Sequence, residues 1–247
     1  MNPLEQFQIH AIVPITVGHV DTSFTNSALY MAIAVALIYA LLKYGMKPKA
    51  LVPDRLQALA EIFYEFVANL VDENAGHNAK PYFPFVFCLF MFILLGNLLG
   101  MIPYTFTFTS HIIVTFGLAL TVFVFVTALG LIKHGFGFFR LFMPQGAPII
   151  MAPILIPIEI LSYLSRPVSL SIRLFANMMA GHTMLTVFAG FTVMMISALG
   201  GLGYAIGILP LLINIALIGF EILVAFLQAY VFCILTCLYI HDSLELH

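Results

Sequence analysis

The chain has 247 residues, 62% of them hydrophobic and only 8% charged, with mean hydropathy +1.09 and formal net charge −2 at pH 7. A water-soluble domain carries about 25% charged residues because its surface faces water, so this composition excludes one and implies lipid around most of the chain. The near-neutral balance gives no electrostatic reason to expect nucleic acid as a partner.

Residues 1–26 mix polar and apolar types around Pro3 and Pro14. They lack a basic stretch followed by an apolar core, and read as an outer segment, neither a signal nor a transit peptide. The first spanning helix is expected over 27–44, an apolar run closed by Lys43, Lys47 and Lys49. Over 54–74, Leu56, Leu59, Phe63, Phe66 and Leu70 recur at helical spacing while Asp54, Gln57, Glu61, Glu65 and Asp72 take the other face. That pattern predicts an amphipathic helix lying on the membrane surface.

A helical hairpin is expected over 84–134, with spans from Phe85 to Ile102 and from His111 to Ile132. Its turn holds Pro103 and a Thr-rich stretch, and Lys133, His134 and Arg140 close it. Residues 148–241 form a second hairpin with no polar turn signal between Pro167 and the glycines at 200, 201 and 203. Roughly 50 helical residues reach about 75 Å, more than an upright helix can use in a hydrocarbon core about 30 Å thick. Either the helix breaks near Pro167 or it tilts steeply, and tilt is the preferred reading. The last helix should run from Gly207 to His241. The expected fold is a single all-α integral membrane domain: about five membrane-embedded helices, the last two long and tilted, plus one surface helix.

Lys43, Lys47, Lys49 and Arg55 follow the first span, and Lys133 and Arg140 follow the third. Both groups fall on one side if the surface helix does not cross, which puts the N-terminus outside and the C-terminus in the cytoplasm or matrix. No inverted repeat and no Gly-rich phosphate loop is found, so the chain has no means of hydrolysing a nucleotide. Cys233 and Cys237 share a helix face, but small residues in a lipid-facing helix outweigh a zinc half-site. His77 and His134 read as solvated loop residues and His111 as interfacial or capping. The Phe-rich segments read as lipid-facing bulk.

Between Leu141 and Ile240 the formal charges are Glu159, Arg166, Arg173 and Glu221 alone. Each costs about 2.5–3.5 kcal/mol at mid-bilayer on insertion scales, so each needs a reason. A bland one exists for Arg166, as half of a buried ion pair or as an arginine that snorkels outward. Glu159, Arg166 and Arg173 recur every seven residues, nearly one helix face, and Asn177 lies one turn beyond. His182, nine residues past Arg173, points the other way. On the last helix Asn214, Glu221 and Gln228 also recur every seven, and Tyr239 lies eighteen beyond Glu221, with Asp242 just past the expected inner end. Two polar stripes on adjacent long helices make a wet path.

The run Ser169-Leu-Ser-Ile-Arg173-Leu-Phe-Ala-Asn177-Met-Met-Ala-Gly181-His182 resembles the signature of the F-type ATP synthase subunit a family. Glu159, the Glu221 and Gln228 pair, Tyr239-Ile-His-Asp242, Pro81-Tyr-Phe-Pro84 and Gly96-Asn97-Leu98-Leu99-Gly100-Met-Ile-Pro103 also fit, so the likeness covers nearly the whole chain. His182 with Glu221 is the arrangement of mitochondrial and α-proteobacterial members. The resemblance implies a non-catalytic subunit of an energy-transducing inner membrane, without cofactor or metal. Its implied partners are a c-subunit ring, b-type peripheral stalk subunits and other membrane-sector subunits. It implies two offset half-channels separated by Arg173: the outer lined by His182, Glu221, Asn214 and Gln228, the inner by Glu159, Tyr239 and Asp242, with Asn177 in either. Met178 and Met179 would pack against the ring. The rival readings are a stand-alone ion channel or secondary transporter, and a purely structural subunit of a respiratory complex.

Overall fold

The computed structural model describes residues 7–14, 16–17, 20–21, 23–45, 54–102, 105–142, 151–199 and 201–244. Lys47, Lys49, Pro103, Pro148 and Gly200, and the side chain of Arg140, which entered the sequence reading, lie outside them.

Short strands β1 (Ala11–Val13), β2 (Thr16–Val17), β3 (Val20–Asp21) and β4 (Phe24–Thr25) pair antiparallel as β1 with β4 and β2 with β3. They are the one departure from an all-α chain, in the segment that carries no helical periodicity. Six helices follow: α1 (Asn26–Gly45), α2 (Arg55–Ala75), α3 (Phe83–Gly100), α4 (Ile112–His134), α5 (Ala152–Leu199) and α6 (Gly201–Leu244). Among the described residues five spans are long and apolar enough to cross a bilayer, and α2 is not one of them.

Local chemistry accounts for several helix ends. Asp54 caps α2, its carboxylate accepting from the Arg55 amide at 2.8 Å. Gly76, at φ 78°, ends it. Pro84 stands in the first turn of α3, where the missing N–H is not needed. α5 runs unbroken for 48 residues through Pro157 and Pro167, so no break divides it. At about 1.5 Å per residue both α5 and α6 exceed the hydrocarbon thickness and must lean.

α6 begins earlier than Gly207 and reaches Leu244, so Asp242 belongs to its last turn and does not lie beyond the helix. The cause is a docked C-terminus. Lys133 Nζ donates to the Leu244 carbonyl at 3.1 Å, His134 Nε2 to the Ser243 carbonyl at 3.1 Å, and Ser243 Oγ to the Val126 carbonyl at 3.2 Å. His134 is thus the tethered last residue of α4, not a solvated loop residue.

α3 is apolar on every side and sits in the middle of the bundle, as such a helix should. Against it α6 presents Ala225, Ala229, Cys233 and Cys237, small residues four apart that are all fully buried. Small side chains let helix backbones approach within a membrane, where dispersion and hydrogen bonds replace the hydrophobic drive. Asn97 Nδ2 accordingly donates to the Ala225 carbonyl at 3.2 Å, and Cys233 Sγ to the Val86 carbonyl at 3.8 Å. The two cysteines therefore line a protein seam and do not face lipid. Phe87 and Phe90 are likewise core, Phe90 packed with Phe63, Phe66 and Phe226 and Phe87 with Phe83 and Tyr64, so the Phe-rich stretch is not lipid-facing bulk. Met178 is buried inside this chain too.

The chain between α3 and α4 folds back into the bundle, and Phe106, Thr107, Phe108, Thr109 and Ser110 are all buried. Phe108 lies on Gly96, where an added Cβ would come within 3.0 Å of ring atom Cε2. Gly96→Val should overpack this contact and lower stability by about 1–3 kcal/mol. Thermal unfolding of the solubilised protein reads it, and an unchanged midpoint would mean the ring yields freely.

Candidate functional site

α5 and α6 pack along their length, and their polar residues gather in two groups with Arg173 between them along α5. The first group surrounds Glu221. Its side chain is 4% exposed, and Asn177, Gly181, Glu221 and Gln228 line a cavity of about 440 Å³ walled by Leu217, Val224 and Leu227. Neither Glu221 oxygen has a hydrogen-bond partner, and the titratable side chain facing it is His182, whose Nδ1 lies 3.6 Å from Oε1. Such a carboxylate is expensive unless neutralised. An imidazole at that distance suits it, because a ring nitrogen can hand a proton to a carboxylate or take one back. Gly181 makes the approach possible: a Cβ there would stand 2.7 Å from Glu221 Oε1.

The second group lies about two to three turns from Arg173 toward the N-terminal end of α5. Arg166 Nη1 binds Asp242 Oδ2 at 3.2 Å, and its guanidinium stacks over the rings of Tyr239, at 4.8 Å, and Tyr163, at 5.3 Å. Tyr163 OH in turn meets Thr127 Oγ1 at 2.7 Å, which fixes that ring to α4. Of the two bland readings of Arg166, the ion pair is the one found.

Arg173 is different. Its side chain stands on the exposed face of α5, among Ser169, Ala176 and Ala180, and no carboxylate among the described residues lies within ion-pair distance. His182, half a helix turn round, is buried, as its spacing from Arg173 requires. Glu159 is half-buried further along α5 with no ion-pair partner among the described residues. Asn214 does not line the Glu221 cavity, although its Oδ1 is buried without a hydrogen-bond partner on the same stripe.

The ATP synthase A chain family matches residues 28–241 of this chain. The chain belongs to that family. ATP synthase subunit a of Pelagibacter ubique is 53% identical over 247 residues, all of this chain and 98% of that protein. Subunit a of Granulibacter bethesdensis is 54% identical over 247 residues, 100% and 98% of the two chains. That of Mesorhizobium japonicum is 54% identical over 245 residues, 99% and 97%. All are α-proteobacterial, one of the two groups, with the mitochondrial members, to which His182 with Glu221 pointed. With five apolar spans, this member of the ATP synthase A chain family is a multi-pass integral membrane protein of the synthase membrane sector.

Three contributors carry no signal in the sequence for the contact they make. Thr107, 3.1 Å from His182 Nε2, is one threonine among several in a turn. Gly181 and Tyr163 matter only through what packs against them. Arg166 did carry a signal, as a charge in an apolar run, but its partner lies 76 residues away and nothing local names it.

Proposed function

We propose that this chain is the static proton-conducting subunit of a rotary ATP synthase, itself non-catalytic, set against a ring of c subunits and held by a b-type peripheral stalk. Its membrane is an energy-transducing inner membrane, with the N-terminus outside and the C-terminus in the cytoplasm or matrix. The observation that carries the reading is the contrast between two arginines seven residues apart. Arg166 is satisfied inside the chain by Asp242, whereas Arg173 points outward with no acid of its own among the described residues. A guanidinium stays charged in any protein setting, so an outward one in an apolar helix calls for an acid from elsewhere. A carboxylate on each passing c subunit supplies it. Small neighbours at Ser169, Ala176 and Ala180 let a partner helix come close.

On this reading protons enter through the outer half-channel at Glu221, His182, Asn214, Gln228 and Asn177. They leave through the inner one at Glu159, Tyr239 and Asp242. Arg173 lies between the two, draws the ring carboxylate in its charged form, and repels protons that would leak straight across. Each proton falling through 100 mV releases about 2.3 kcal/mol, which a leak would waste.

Cysteine labelling tests the aqueous path in the complete synthase after Cys88, Cys233 and Cys237 are replaced. Single cysteines at Leu217, Val224 and Gln228, on the cavity wall, should react with a membrane-impermeant thiol reagent. Cysteines at Leu212 and Leu223, on the outer face of α6, should not. Equal labelling of both sets would mean that no aqueous path runs along this stripe.

A further inference from the structure

Thr107 holds a position that the family match leaves without a role. The buried turn fixes it on both sides: Ser110 Oγ donates to the Thr107 carbonyl at 2.6 Å, and His111 stacks on Phe106 at 5.0 Å between ring centres. Its own hydroxyl oxygen lies 3.3 Å from the Gly100 carbonyl and 3.1 Å from His182 Nε2. A threonine hydroxyl has one proton to give and lone pairs to receive, while a carbonyl only receives. Both contacts are satisfied together in one way: the hydroxyl donates to Gly100 and accepts from an N–H on Nε2. The opposite tautomer would set a bare ring nitrogen and a carbonyl in competition for a single proton.

The other ring nitrogen, Nδ1, faces Glu221 Oε1 at 3.6 Å, a gap that a slight approach or one bridging water spans. Thr107 from the turn, Glu221 from α6 and the edge of Phe7 at 6.3 Å surround the ring, and of these Glu221 alone titrates.

We propose that Thr107 is a positioning residue that keeps a proton on His182 Nε2, so that Nδ1 alone exchanges the translocated proton with Glu221. In that exchange the Nδ1–H bond breaks, its electron pair stays on nitrogen, and an O–H bond forms on the carboxylate. An imidazolium–carboxylate pair becomes a neutral pair, and the pair holds one mobile proton. The inference rests on the reading of His182 and Glu221 as a proton relay.

The test uses the complete synthase in proteoliposomes, making ATP from an imposed proton gradient. Thr107→Val keeps the volume and removes the hydroxyl; it should slow synthesis roughly fivefold, the scale of one lost hydrogen bond. Thr107→Ser should restore the rate. Thr107→Val should add nothing in a His182→Ala background, because the threonine acts through that ring. A normal rate in Thr107→Val beside a slow His182→Ala overturns the tautomer assignment and leaves the relay standing. A normal rate in His182→Ala overturns both. Failure of serine to rescue, or an added loss in the double variant, overturns the assignment as well. Solid-state ¹⁵N spectra of the unaltered complex, with His182 identified by its loss in His182→Ala, decide the matter even if the valine variant does not assemble. Nε2 should carry hydrogen in every protonation state, and a neutral ring protonated at Nδ1 overturns the proposal.

Discussion

Arg173→Ala is expected to abolish proton-driven ATP synthesis while the complex still assembles. The side chain is exposed on α5 and pairs with no acid among the described residues, so removing it leaves no buried charge behind and costs the fold little. The functional loss should be roughly a hundredfold or more, the scale of deleting one fixed charge from a preorganised site. Arg173→Lys keeps the charge but loses the planar spread that lets guanidinium meet a moving carboxylate from several angles, so synthesis should recover only in part. Arg166→Ala provides the contrast. Its pair with Asp242 is partly exposed, the two side chains being 23% and 43% accessible, which limits the pair to about 1 kcal/mol or less. Its removal should lower stability modestly and synthesis far less than loss of Arg173 does. Synthesis rates and native gels on the three variants read this out, and near-normal synthesis in Arg173→Ala would remove the proposed barrier.

The second large effect is at Glu221. Both of its oxygens are buried without a hydrogen bond, and among the described residues His182 Nδ1, at 3.6 Å, is the one ion-pair contact it has. A glutamine has nearly the same shape and no charge to bury, so Glu221→Gln should assemble with unchanged or slightly raised stability. An amide cannot take up and release a proton in this range. Passive proton flux through the membrane sector should therefore fall by roughly 10²–10⁴-fold, the scale of losing a positioned acid–base group. Opposite signs on stability and flux separate a working carboxylate from a structural one. A variant that loses both together would identify Glu221 as glue between α5 and α6, and unchanged flux would take it off the path.

Much of the fold is legible because hydrocarbon imposes simple rules. Five long apolar runs become five long apolar helices, since an unpaired backbone group inside lipid costs several kcal/mol. The amphipathic stretch after Asp54 becomes α2 because its polar face cannot enter that solvent. The same rules made the four charges between Leu141 and Ile240 conspicuous. The seven-residue spacing on α6 put Asn214, Glu221 and Gln228 on one stripe, of which Glu221 and Gln228 line one cavity and Asn214 does not. The half-turn offset of His182 from Arg173 was legible in the same way.

What the chain order could not reveal is which neutral or apolar residue faces protein and which faces lipid. In water that choice leaves a period in the sequence, because one face must be polar. In a membrane both faces are apolar, so Cys233, Cys237, Phe87, Phe90 and Met178 looked like outward residues and are core. Long-range partners were equally hidden. Asp242 meets Arg166 because the end of α6 docks on α4 through Ser243, Lys133 and His134, and it extends into the helix for the same reason. Thr107 reaches His182 across 75 residues because the turn after α3 folds inward. The sequence by itself thus determined the solvent, the helices and the identity of the charges, since each follows from what a single residue costs in hydrocarbon. Tertiary structure alone decided who meets whom, because contact between distant segments depends on packed geometry that no local cost encodes.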